Sequence, residues 1–172
     1  MNLRIQTEPH IEVYRFHVTV VVGVAFFALL LQAYLPVLHH RLGEWLELPL
    51  LVTLYFGLSR RNPSTGLMLG MSIGLLQDAV GGTFLGLYGI AKTLVGYGAS
   101  SVGGRIDVEH PLARLVLAFV FFHVHQLAFA LTNRLLVAEP TPYFTMSLLV
   151  ASMVNAVVAV ALFPLLDRLR KS

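Results

Sequence analysis

Glycine is concentrated in one apolar stretch, residues 60–105, and this stretch most limits the folds that the chain can adopt. It holds eleven of the 14 glycines: Gly66, Gly70, Gly74, Gly81, Gly82, Gly86, Gly89, Gly96, Gly98, Gly103 and Gly104. The stretch reads as two apolar helices joined by a Gly-Gly-Thr turn at 81–83. Because glycine has no side chain, two helix backbones can approach closely, as they do in membranes. The stretch therefore predicts a tight helical hairpin inside a membrane.

The overall composition also favours a membrane protein. Hydrophobic residues make up 56% of the chain and charged residues 12%, with a mean hydropathy of +0.75. Soluble domains carry about 25% charged residues. The absence of cysteine excludes disulfides and thiolate chemistry. The formal charge is +3, but the basic residues stand at the ends of apolar runs, which indicates orientation in a bilayer and no nucleic-acid partner.

Six apolar runs predict an all-α polytopic membrane protein in which 1–172 is one integral membrane domain. We expect six short transmembrane helices at about 18–36, 44–59, 66–80, 84–102, 112–135 and 143–166. A perpendicular span needs about 20 residues. The second and third runs are shorter than this, so we expect irregular backbone there that is buried in protein or lines a cavity.

The basic residues divide unequally between the two sides that six spans create. With both termini on one side, nine Lys and Arg residues fall on that side, two (Arg41 and Arg134) on the other, and Lys92 within the fourth span, which accounts for all 12. Cytoplasmic segments carry the excess of Lys and Arg in membrane proteins. The sequence therefore predicts that both termini are cytoplasmic.

Three glycines of the third predicted span, Gly66, Gly70 and Gly74, lie at four-residue intervals on one helix face. Such a glycine ladder is typical of close helix packing, either within a chain or against a partner. Packing within the chain is the simpler interpretation, and docking of a partner helix is the functional one. Gly81 and Gly86, at the hairpin tip, belong to the same predicted packing region.

Two ionisable residues of the hairpin lie in apolar surroundings: Asp78 near the tip and Lys92 inside the fourth span. Charges inside a membrane are rare and suggest a function by default. We predict a structural ion pair between Asp78 and Lys92, with Gln77 as a polar neighbour, in preference to a substrate or partner site. An Asp78 at the outer surface would be solvated and would need no partner.

The sequence contains no recognisable catalytic, cofactor or metal motif. His123 and His125 are two residues apart on a predicted helix, so they point in different directions and cannot share a metal ion. His125 and Asn155 are expected to hydrogen-bond between helices. Apart from Glu44 and Glu47, which bracket the start of the second run, Asp78 is the only carboxylate within the apolar runs, so we expect no chemistry that requires two carboxylates. We therefore expect neither an enzyme nor a cofactor or metal site.

The segment from about 46 to 105 resembles the rod shape-determining protein MreD family. The resemblance rests on the order of a short loop followed by Gly66, Gly70, Leu75-Leu76-Gln77-Asp78, Gly81, Leu85-Gly86-Leu87 and Tyr97. Lys92 departs from the apolar character expected at its position. The number of predicted spans and the chain length also fit the family.

The resemblance implies a non-catalytic protein of the bacterial cytoplasmic membrane that belongs to the cell-elongation machinery of peptidoglycan synthesis. It implies direct contact with MreC, direct or indirect contact with MreB, RodA and a transpeptidase, and contact with membrane lipid. Gly70, Gln77, Asp78, Gly81 and Gly86 would form a contact region on the hairpin. We therefore predict a scaffold whose glycine face and hairpin dock a single-span partner such as MreC.

A different class of protein has the same predicted architecture: the substrate-binding S components of energy-coupling-factor vitamin transporters, which also have six short spans. Such a component would enclose a vitamin with the residues around Asp78, Tyr88, Lys92 and His125. Several polar and aromatic groups converging on one outer cavity would favour this alternative. The sequence offers few of them.

Overall fold

The computed structural model describes residues 16–106, 108–138, 143 and 145–170. Regular structure in these ranges is entirely helical, which confirms the predicted all-α class. The helices are α1 (Val18–Leu38), α2 (His40–Trp45), α3 (Leu48–Arg60), α4 (Pro63–Gly81), α5 (Leu87–Gly103), α6 (Pro111–Leu136) and α7 (Met146–Asp167).

Four of the predicted spans differ clearly from the helices of the structure. The third begins at Pro63 rather than at 66. The second is not one helix, because Leu46 and Glu47 are extended between α2 and α3. The fourth begins at Leu87 rather than at 84, because Gly86 has a φ of 107°, which a helix does not allow. The sixth begins at Met146 rather than at 143, where the Thr145 side chain accepts a hydrogen bond from a backbone N–H of the first turn.

Within the described ranges, α1, α6 and α7 are long and apolar enough to cross a membrane. The central helix α3 has only 13 residues, of which 11 are buried. It packs against α1, α4, α5, α6 and α7. The short second run therefore forms the centre of the bundle, where protein surrounds its backbone on all sides.

The other helices are arranged around α3 in two hairpins and one outer helix. α4 pairs with α5, and α6 pairs with α7. α1 packs against α2, α3 and α4, whereas no Cα atom of α1 lies within 8 Å of one in α7. Each outer helix leaves large apolar side chains exposed, for example Phe26 of α1 and Val120 of α6. Such side chains are suited to contact with lipid.

One end of the bundle is basic. Asp167, at the C-terminus of α7, accepts hydrogen bonds there from the Tyr55 hydroxyl at 2.8 Å and from Arg114 at 2.6 Å. Six described basic residues lie at this end: Arg60, Arg61, Arg105, Arg114, Arg168 and Arg170. The opposite end carries Arg41 and Arg134.

A buried polar network as the candidate functional site

The break between α2 and α3 carries Glu47 into the core, where this residue is only 8% exposed. Its backbone N–H donates to Asn155 Oδ1 of α7 at 3.0 Å. The Gln32 side chain of α1 donates to the Leu46 carbonyl at 2.8 Å and accepts from the Leu48 N–H at 2.9 Å. Extended backbone inside a bundle lacks helical hydrogen bonds, so side chains must supply them. Side chains of α1 and α7 thus hold the extended backbone between α2 and α3 in place.

Lys92 of α5 is fully buried and forms an ion pair with Glu47, with its Nζ 2.9 Å from Oε1. Gln77 of α4 donates to the same oxygen at 2.7 Å. The Lys92 ammonium also lies 3.2 Å from His125 Nε2 of α6 and 4.5 Å from the centre of the Tyr88 ring. A buried ammonium without an anion costs several kcal/mol. Glu47 is therefore the group that allows Lys92 to stay charged in the core.

The predicted ion pair between Asp78 and Lys92 is wrong. Asp78 is fully buried, and both of its oxygens accept hydrogen bonds from the hairpin. Its partners are the backbone N–H groups of Gly86 at 2.8 Å, Tyr88 at 3.0 Å and Gly89 at 3.1 Å, and the Thr83 hydroxyl at 3.0 Å. A carboxylate is stabilised at the N-terminus of a helix by the free amides and the helix dipole. Asp78 thus closes the hairpin, and Lys92 pairs elsewhere.

Sequence reasoning missed Glu47 because this residue lies at the edge of an apolar run, where a carboxylate is normally solvated. The one signal that could have found it is Lys92 itself, since a buried cation requires an anion. The polar residues Asn155 and His125 do form the expected contacts between helices: Asn155 holds the Glu47 backbone, and His125 contacts Lys92.

The glycine ladder of α4 faces α5. Cβ atoms placed at Gly66, Gly70 and Gly74 would overlap backbone atoms of Gly96, Lys92 and Tyr88, respectively. The ladder is therefore occupied within the chain, and the expectation that it receives a partner helix is wrong. Its structural effect is to bring the α4 and α5 backbones together, so that Gln77 and Lys92 reach the same oxygen of Glu47.

The two glycines at the hairpin tip do not share this packing. Gly86 has a φ of 107°, which favours glycine, and a Cβ there would meet no atom within 4 Å. A Cβ at Gly81 would meet only Thr83, at 4.0 Å. Gly86 therefore has a conformational role at the start of α5, and neither glycine is needed for close approach of the α4 and α5 backbones.

Three of the four residues that would surround a vitamin are held in contacts within the protein. Lys92 and His125 are fully buried in the network, and Asp78 is bonded to the hairpin. Of the four, only Tyr88 lines a described cavity. Among the described residues, no group of three His, Asp or Glu side chains is placed to hold a metal ion.

Comparison with known proteins gives one match. The family model for MreD, rod shape-determining protein MreD, matches residues 14–172. The match extends well beyond the segment at 46–105 and includes α1, α6 and α7. No curated protein and no solved structure matches the chain.

Proposed function

The chain belongs to the rod shape-determining protein MreD family, and we propose that it is a non-catalytic scaffold of the bacterial cytoplasmic membrane. Membership of this family implies a role in rod-shape determination. In the proposed role the protein docks MreC directly and links it to MreB, RodA and a wall transpeptidase. Three long apolar helices support a membrane location.

We further propose six spans with both termini in the cytoplasm. The charge distribution supports this orientation, since six described basic residues lie at one end of the bundle and two at the other. α3 and α5 have 13 and 17 residues, or about 20 and 26 Å of helix. They are shorter than the hydrocarbon layer, but many of their residues are buried by neighbouring helices.

The orientation can be tested with single cysteines, because the chain contains none. We expect Asn2→Cys and Ser172→Cys to react with a membrane-impermeant maleimide only after spheroplasts are permeabilised. Ala138→Cys, between α6 and α7, should react in intact spheroplasts. Labelling of the two terminal cysteines from opposite sides of the membrane would contradict an even number of spans.

The scaffold proposal rests on the apolar surface between α1 and α7, which would receive the single-span partner. No Cα atom of α1 lies within 8 Å of one in α7, and the two helices leave a cavity of about 290 Å³ over α3. Its walls are entirely apolar and include Gly23 and Val24 of α1, Val52 of α3 and Leu162 of α7. A Cβ at Gly23 would meet nothing within 4 Å. The α1 backbone is thus open to close approach by another helix, as membrane helix contacts require.

Filling this crevice should prevent partner capture. We expect Val24→Trp to reduce the MreC recovered with the tagged protein from crosslinked native membranes by about tenfold or more, because the indole would occupy the space that the partner helix needs. The matched control is Val120→Trp, which adds the same volume to the exposed face of α6. Recovery at the wild-type level with Val24→Trp would exclude the crevice as the docking surface.

A further inference from the structure

A second groove, on the other side of α1, runs between α1 and α4. Its lower part is a cavity of about 330 Å³ whose lining is mostly apolar and includes Val22, Phe26, Met68 and Leu76. Its upper part is a separate cavity of about 380 Å³. The α4 residues that line the two cavities follow one helix face: Thr65, Met68, Leu69, Ser72, Ile73, Leu76, Gln77, Val80 and Gly81. The two cavities therefore follow one another along the contact between α1 and α4.

The upper cavity ends on the buried carboxylate of Glu47. Ala33, Pro36 and Val80 form its exposed rim, and Glu47 and Gln77 lie deeper. Oε1 of Glu47 accepts both of the hydrogen bonds that its carboxylate receives from described residues. Oε2 accepts none from the described residues. Gln77 Oε1 also lacks a hydrogen-bond partner among the described residues. The cavity thus contains two acceptor oxygens that receive no hydrogen bond from the described residues, and the Tyr88 side chain lies in the same lining.

Glu47 is the carboxylate that lines this cavity, and the Lys92 ammonium behind it is its buried counter-charge. The nearby Asp78 carboxylate is held by backbone amides of the hairpin. His125 adds no charge, because an ammonium can only donate and His125 Nε2 must therefore accept from Lys92. The cavity lining contains no Lys or Arg. A buried carboxylate of this kind favours a cationic ligand.

We propose that the groove binds a membrane lipid whose head group carries a primary ammonium, with the ammonium in the upper cavity and an acyl chain along the lower one. The N–H groups would donate to Glu47 Oε2, and the ammonium would lie against the carboxylate. Hydrogen bonds between charged groups are about twice as strong as neutral ones. The volume of the upper cavity is within the range of small-molecule sites, roughly 300–1,000 Å³.

The combination of a polar end and an apolar length favours a lipid over a free amine or a protein helix. A free amine would use only the upper cavity and would leave the lower one to other molecules. A partner helix would have to place a cationic side chain against Glu47, deep between α1 and α4. The lipid groove and the α1–α7 crevice lie on different sides of α1, so binding at one can fail while binding at the other persists.

The test compares two lipids with identical acyl chains, phosphatidylethanolamine and phosphatidylcholine. Both have the same charges, but the choline nitrogen has no N–H to donate. We expect native mass spectrometry of the purified full chain to show phosphatidylethanolamine bound at least about tenfold more tightly. Equal binding of the two lipids would overturn the proposal. Ethanolamine alone raising the melting temperature as much as the lipid does would also overturn it and would assign the site to a free amine.

Variants locate the site. Ala33→Trp fills the upper cavity from its exposed rim and should abolish the preference, whereas Leu30→Trp, on an exposed part of α1 outside both cavities, should retain it. The double variant Glu47→Gln/Lys92→Met removes the carboxylate together with its buried counter-charge and should also lose the preference. An Ala33→Trp protein that still prefers phosphatidylethanolamine would exclude this groove. Capture of MreC should be unchanged in all three variants.

Discussion

Lys92→Met should destabilise the protein by about 3–5 kcal/mol, because it leaves Glu47 as a buried charge without a partner. The double variant Glu47→Gln/Lys92→Met should recover most of this loss. It replaces the ion pair with neutral groups of similar volume, and such replacements of a whole buried pair are often neutral. The measurement is the free energy of unfolding of each variant in the same detergent micelles.

A second double variant distinguishes Glu47 from Asp78 as the partner of Lys92. Asp78→Asn/Lys92→Met should be no more stable than Lys92→Met, because Asp78 is held by backbone amides and not by the ammonium. The amide of asparagine would also place donors against the N–H groups at the start of α5. Recovery of stability in this variant, without recovery in Glu47→Gln/Lys92→Met, would show that the ion pair has been assigned to the wrong carboxylate.

Hydropathy predicted the helices of this chain well, because exposed apolar runs are a property of local sequence. α1, α6 and α7 differ from the predicted runs by only a few residues at their ends. The break at Leu46 and Glu47 could not be predicted in this way, because its backbone is held by Gln32 and Asn155, which are 14 and 108 residues distant from their partners. Local sequence gives no information about such long-range hydrogen bonds.

The role of the polar residues was predicted only in part. The sequence indicated that an Asp78 buried below the head groups needs a partner, and Lys92 was the obvious candidate within the same hairpin. That choice overlooked the free amides at the start of α5, which compete for the Asp78 carboxylate. The actual anion, Glu47, reaches Lys92 only because the chain leaves its helical path between α2 and α3.

The partner of the glycine ladder could not be identified from local sequence either. Its spacing predicted a close helix contact, and Gly66, Gly70 and Gly74 make one. The spacing could not identify the other helix, since an internal contact and a partner contact need the same small residues. The sequence did not predict a role for Gly23, the single glycine of α1. A Cβ at that position would meet no atom within 4 Å. A lone glycine has no periodicity by which it could be recognised.

Gly70→Ala adds one methyl group to the glycine ladder, and we expect it to lower the stability of the protein strongly. Gly70→Ala would place a Cβ against the Lys92 carbonyl group, where neither backbone can move without separating α4 from α5. Overpacking of this kind costs about 1–3 kcal/mol and occasionally more. We expect the upper end of that range, because the obstacle is backbone rather than a flexible side chain. Unfolding in micelles measures the loss.

Gly23→Ala is the matched control, since it adds the same methyl group to a helix at a position with nothing within 4 Å. It should be neutral or stabilise α1 by up to about 1 kcal/mol, because alanine is the better helix former. The separation of α4 from α5 in Gly70→Ala should also weaken the contact of Gln77 and Lys92 with Glu47. We therefore expect Gly70→Ala to lose the preference for phosphatidylethanolamine, and Gly23→Ala to keep it. Equal stability of the two variants would mean that α4 and α5 are not in the close contact on which the buried network depends.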